Sequence, residues 1–185
     1  RAFDILSLFL DDYSADELRE YCNAAYCEKS FPGGAAPLVH VNENIYSLEL
    51  WHGPTSAFKD MALQILPHLM REYASKTADG KEIIILVATS GDTGKAALEG
   101  FKDAPATRIL VFYPEEGVSP MQKLQMVTQE GENVSVCAIR GNFDDAQTGV
   151  KNIFAAAVDG KLPGGNRCRL STANSINIGR LAPQI

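Results

Sequence analysis

The chain has no run of about 18 consecutive apolar residues, so no part of it reads as a membrane-spanning helix. Cysteine is scarce. Cys22, Cys27, Cys137 and Cys168 form no CxxC pair, and beyond the first two they lie far apart. They read as buried or partly buried thiols in a reducing compartment, and a cytoplasmic location without a metal site is the expectation. Charge of neither sign is blocked together: 17 Lys and Arg against 23 Asp and Glu give a net charge of -6 spread along the chain. That argues for solubility and against a nucleic-acid footprint. There is no signal peptide and no initiating methionine, and Ile185 falls inside an apparent helix without a stop signal. The expectation is a piece of a longer protein. A length of 185 residues is enough for one sizeable core or two small domains.

What is present is a regular alternation of apolar runs and helical stretches. Phe3 to Leu10 carries a helical pattern, broken at Asp11-Asp12-Tyr13-Ser14. Ser14 is placed as an N-cap with Glu17 at the capping-box position, and the helix it starts runs to about Tyr26. Val39 to Val41 and Ile45 to Leu50 read as a hairpin turning at Asn42-Glu43-Asn44, with His40 a strand residue and not a catalyst. After a turn at Asp79-Gly80-Lys81 come three continuous apolar runs, Ile83 to Ala88, Arg108 to Tyr113 and Val134 to Ile139. Such runs fit strands covered on both faces. Helices are expected over Thr93 to Phe101, Val118 to Glu130 and Phe143 to Val158, with Ser119-Pro120 and Asp144-Asp145 at helix starts. The series is βαβ, which makes an α/β fold with an open parallel sheet and ligands at the carboxyl ends of its strands. The expected division is 1–80 for the first helices and the hairpin, 81–160 for a βαβ domain, and 161–185 for a following segment.

Three stretches carry chemistry. The first is Ala88-Thr89-Ser90-Gly91-Asp92-Thr93-Gly94-Lys95, a strand entering a glycine-containing loop and then a helix, which aims several N–H groups at one spot. It is not a nucleotide P-loop, because Gly91 and Gly94 are three apart and Ala96 stands where a magnesium-binding hydroxyl is needed. The second is Trp51-His52-Gly53-Pro54-Thr55-Ser56-Ala57-Phe58-Lys59-Asp60, followed by a helical run from Met61 to Leu69. Lys59 falls at or just before the first turn, where the helix dipole and burial both lower a lysine pKa. A neutral amine is what attacks an aldehyde to form a Schiff base. The third is Leu170 to Leu181, a short strand from Cys168 to Ser171 leading into hydroxyls, amides and Arg180. These are groups that hold a phosphate.

The ten residues from Trp51 to Asp60 closely resemble the lysine motif of the threonine synthase family, whose members use pyridoxal 5′-phosphate on the type II fold. Two further stretches, Thr89 to Gly94 and Asn174 to Arg180, resemble the same family, and the likeness covers nearly the whole chain. It implies a three-layer αβα architecture like that of the tryptophan synthase β chain, with residues 161–185 beginning a return into a larger domain. It implies that Lys59 carries the cofactor and that Thr89, Ser90, Gly91, Asp92, Thr93 and Gly94 hold the substrate carboxylate. Asp92 also stands where related enzymes contact the cofactor ring. Asn174, Ser175, Asn177 and Arg180 would hold the phosphate of O-phosphohomoserine, which the family converts with water to threonine and phosphate. A dehydratase or sulfhydrylase on the same fold, or a non-catalytic protein that binds phosphorylated ligands, is the alternative. The Gly-Asn-Phe-Gly-Asn-like loop that binds the cofactor phosphate in the family does not occur here; Gly141-Asn142-Phe143-Asp144 is only an echo of it. The chain alone is therefore expected to be inactive. Lys123 reads as a solvated charge rather than a rim contact.

Overall fold

The structure, a computed structural model, describes residues 1–77, 80–161 and 167–184. Asp79 of the expected turn lies outside the described residues. A short α1 (Ala2–Leu6) ends before Leu8 and Phe9, which are exposed. Ser14 then starts α2 (Ala15–Ala25) as its sequence requires. Its hydroxyl accepts from the Glu17 N–H at 3.3 Å, and Glu17 accepts in return from the Ser14 N–H at 2.6 Å. Two donors left open by the helix start are thereby paired. Leu6, Leu18, Tyr21 and Cys22 pack with Ile65 and Leu69 in a first core. The hairpin follows as β1 (Leu38–Asn42) and β2 (Ile45–Leu48), antiparallel, with Glu43 at φ 44° in the turn. His40 is exposed, hydrogen-bonds the Glu43 carbonyl at 2.8 Å and lies against the Tyr46 ring.

The helix expected over Met61 to Leu69 is instead two, α3 (Asp60–Leu63) and α4 (Leu66–Thr77). Pro67 is the reason: it has no N–H to give the carbonyl of Leu63, four residues back, and its ring clashes there. The Leu63 carbonyl left open lies against Gly100 of α5 (Asp92–Phe101), where a Cβ would come to 2.0 Å from it.

Beyond α4 the apolar runs form β3 (Glu82–Ala88), β4 (Thr107–Pro114), β5 (Val134–Ile139) and β6 (Cys168–Ser171). All are parallel, in the order β5-β4-β3-β6. Alternation along the strands fills two faces. Ile83, Ile85, Val87, Ile109 and Val111 pack with Ala96, Ala97, Leu98 and Phe101 of α5, and with Leu63, Leu66 and Met126. Leu86 and Ala88 turn to the other face, under Ala146 and Val150 of α7 (Phe143–Val158). The α6 helix (Pro120–Val127) is shorter than its pattern and is capped by Ser119, with Pro120 in its first turn. α7 covers β3 and β4, and Cys137 on the edge strand β5 is exposed, against the expectation that all four thiols are at least partly buried.

The chain winds from β3 outward to β4 and β5, then returns to place β6 on the opposite side of β3. Strand order thus reverses between β3 and β6, and in open parallel sheets the crevice at such a reversal is where ligands bind. The short α8 (Ile178–Leu181) and a 3₁₀ turn at Ala182–Gln184 follow β6. No helix among the described residues is long and apolar enough to cross a membrane.

The Gly100 contact is with backbone, which cannot swing away. Gly100→Ala is expected to destabilise the protein by about 1–3 kcal/mol. Gly149→Ala, on α7 with nothing within 4 Å of the new methyl, is expected to stabilise it by about 0.5–1 kcal/mol through helix propensity. Urea unfolding midpoints of the two variants, at unchanged slope, check both signs.

Candidate active site

At that reversal, the loops after β3 and β6 and the start of α3 enclose a cavity of about 430 Å³. Lys59 reaches it because the preceding turn is wound around one carboxylate. Asp60 is fully buried and accepts from the Thr55 N–H at 2.9 Å and the Thr55 hydroxyl at 2.7 Å. A Cβ on Gly53 would fall 2.5 Å from Asp60, so glycine is required there. Burial pushes the Asp60 carboxyl up, and the Thr55 bonds act against that. Lys59 is the residue just before α3, with its amine 4.4 Å from the Phe58 ring centroid. Burial first, and the charge of Arg180 second, hold this amine below the ordinary lysine range, while Asp92 opposes them. The direction matches the expectation. Of the two expected causes burial is the larger, and the positive potential comes from Arg180.

The loop after β3 contributes Thr89, Ser90, Asp92 and Thr93 to the wall. Gly91 and Gly94 are not on it. Their N–H groups both donate to the buried Thr89 hydroxyl oxygen, each at 2.9 Å, and are spent in shaping the turn. Gly94 is a packing glycine: a Cβ there would meet Thr89 Cγ2 at 2.5 Å and Met126 sulfur at 2.8 Å. The N–H groups of Ser90, Asp92 and Thr93 have no acceptor among the described residues. They stand at the start of the ten-residue α5, where an anion is favoured.

The loop after β6 divides in the same way. Ser175 and Arg180 line the cavity, and Asn174 lines it with a side chain already engaged. The Asn174 amide donates to the Ala88 carbonyl at 2.9 Å, and its oxygen accepts from the Ala88 N–H at 3.2 Å and the Thr172 hydroxyl at 3.1 Å. Asn177 does not face the cavity. It caps α8, accepting from the Gly179 N–H at 2.9 Å and donating to the Thr172 carbonyl at 2.8 Å. Arg180 is only 3% exposed, and its Nη1 donates to the Gln184 side-chain oxygen. Its Nε is buried with no partner, and no carboxylate among the described residues pairs with it. A buried guanidinium without a counter-charge is costly, and an anion entering the cavity would relieve that cost.

One wall is invisible in the sequence. Phe143, Gln147, Val150, Lys151 and Phe154 line the cavity from one face of α7, at helical spacing, and Gln122 joins them from α6. Only the spacing of these α7 residues could have pointed to a common face; that the face borders a site depends on how α7 lies over the sheet. Lys123, its neighbour on α6, is not on the wall.

Arg180→Gln removes a positive charge that depresses the Lys59 pKa, so the variant's Lys59 is expected to titrate at higher pH than the wild type's. Following the acylation of Lys59 against pH by mass spectrometry reads that direction.

No family model matches the chain. Threonine synthase-like 1 of Homo sapiens is 41% identical over 180 residues, 94% of this chain and 24% of that protein. The threonine synthase of Pseudomonas aeruginosa is 46% identical over 150 residues, 81% of this chain and 30% of that protein. The crystal structure of pyridoxal-phosphate-bound threonine synthase from Brucella melitensis superposes with a TM-score of 0.82 at 38% identity, over 98% of this chain and 38% of that one. The chain spans between 24% and 38% of the length of these three proteins. With this identity carried on one shared backbone, the chain belongs to the threonine synthase family of type II pyridoxal-phosphate proteins.

Proposed function

We propose that this chain carries the lysine and the anion sites of a threonine synthase, a lyase that takes pyridoxal phosphate on Lys59 and converts O-phosphohomoserine and water to threonine and inorganic phosphate. The observation that carries the reading is the pairing, on one cavity of about 430 Å³, of a half-buried lysine held below its ordinary pKa with a buried arginine whose Nε has no partner. These residues fit the cofactor: an amine whose pKa is lowered gives up its proton more readily and can then attack an aldehyde. When bound, the cofactor supplies an electron sink for negative charge developing on the substrate carbons.

The remaining work falls to this chain's side chains and amides. The free N–H groups of Ser90, Asp92 and Thr93 at the start of α5 are suited to the substrate carboxylate. Arg180, with Ser175 on the same cavity lining, is suited to the phosphate, through charge-assisted bonds that strengthen in a water-poor site. Lys59 Nζ, held below the ordinary lysine range, serves as the base that takes and returns a proton at the substrate. Holding both ends of the substrate favours a molecule with two anions over serine or threonine, which have one. Asn174 and Asn177 position the phosphate loop by their backbone bonds and are not offered as direct ligands.

Two outcomes are expected. Lys59→Ala abolishes the visible absorbance of bound pyridoxal phosphate, and borohydride reduction of the wild type labels Lys59 and no other lysine. Arg180→Ala weakens O-phosphohomoserine by roughly 1.5–3 kcal/mol, the worth of a hydrogen bond to a charged group, and leaves threonine almost unaffected. Binding of the two compounds by calorimetry checks the difference. Equal weakening of both would remove the phosphate assignment, and turnover of serine or threonine by the wild type in place of O-phosphohomoserine would point to a dehydratase.

A further inference from the structure

Gln122 reaches the cavity from α6 through a gap that only glycine leaves open. A Cβ on Gly91 would fall 2.4 Å from the Gln122 side chain, and Gly91 sits at φ 146°. Once there, the amide is held at both ends. Its oxygen accepts from the Ser119 hydroxyl at 2.9 Å, and its nitrogen donates to Asp92 Oδ1 at 2.7 Å. The Asp92 partner sets the orientation, because an ionised carboxylate only accepts. The Lys95 ammonium stands 3.6 Å from the same Asp92 oxygen. Asp92 Oδ1 is thus tied from two helices, while Oδ2 has no hydrogen bond among the described residues.

The surroundings give this arrangement a purpose. Lys59, Lys151 and Arg180 put three cations on the cavity lining, and Asp92 is the only acid among its described residues. A carboxylate left loose among cations would collapse onto one of them; a fixed one presents an acceptor at a set place. We propose that Gln122 is a positioning residue of this site, holding the Asp92 carboxylate in one rotamer so that a ligand N–H or O–H beside Lys59 meets a fixed acceptor. The proposal rests on the reading of the cavity as the substrate and cofactor site, and adds α6 to the elements that set its specificity. Ser119, as cap of α6 and donor to Gln122, links the start of that helix to the start of α5.

The test uses the cofactor-free protein and reads Lys59, which Asp92 holds toward higher pKa. The pH midpoint of Lys59 acylation is measured for the wild type, Gln122→Leu, Asp92→Asn and the double variant. The expected result is that Gln122→Leu shifts the midpoint, up if the freed carboxylate swings onto Lys59 and down if it swings onto another cation, and that adding Gln122→Leu to Asp92→Asn shifts it no further. If Gln122→Leu does not fold, Gln122→Asn, which keeps the amide but is too short to reach Asp92, is read in the same way. A midpoint unchanged by loss of Gln122, or changed equally with and without Asp92, shows that Gln122 acts on the fold alone and overturns the proposal. Since no cofactor or substrate takes part, failure of the wild type to bind O-phosphohomoserine would sink the functional reading and leave this test standing.

Discussion

The side-chain amide of Asn174 bonded to both the N–H and the carbonyl of Ala88 is the interaction on which the site depends. Backbone pairing between β3 and β6 ends at Ile85 opposite Ser171, three residues short of the end of β3. Beyond that point the two strand ends have no ladder to hold them, yet the loops that follow them must share one cavity. The Asn174 amide supplies the donor and acceptor that a further strand residue would have offered, in a buried setting where an open N–H or carbonyl is costly. It keeps the Ser90 loop and the Arg180 loop in register. An aspartate in its place would keep the acceptor and lose the donor.

Charge in the cavity is arranged against the chain as a whole. The protein carries a net charge of -6, but the lining gathers Lys59, Lys151 and Arg180 with Asp92 as the single described acid. Burial alone disfavours the charged forms of Lys59 and Arg180. The two respond differently. Lysine can release its proton and become a base or nucleophile, whereas arginine stays charged at any accessible pH. The same burial therefore acts on an amine that can lose its charge and on a cation that keeps it, both on one cavity lining.

Much of this was legible in the sequence. β5, β6 and α7 run as the apolar and helical patterns indicate, and the Ser14 and Glu17 capping box forms as its spacing requires. The lysine helix was misread because its periodicity was followed past Pro67, whose missing N–H breaks it. In the site, residue type could be read but not direction. Gly91, Gly94 and Asn177 stand in the right stretches, yet their donors and side chains serve Thr89, α8 and the Thr172 carbonyl. Gln122 and the α7 face belong to patterns that look like ordinary helix, and they become part of a wall only once the strand order is known.

That order also explains why the lysine comes from outside the sheet. The loops after β3 and β6 form two walls of the crevice, and each offers groups suited to an anion: three N–H groups without an acceptor among the described residues on one side, a buried arginine on the other. A lysine built into either loop would add a second positive centre beside Arg180 or the start of α5. Bringing Lys59 in from α3, which packs on α5 and α8, places the amine on the cavity lining as part of neither loop. The cost of that placement is precision, since a four-residue helix, cut short ahead of Pro67, holds its end poorly. The fully buried Asp60, bonded twice to Thr55 and pressed on Gly53, makes up for it by fixing the turn that carries the lysine.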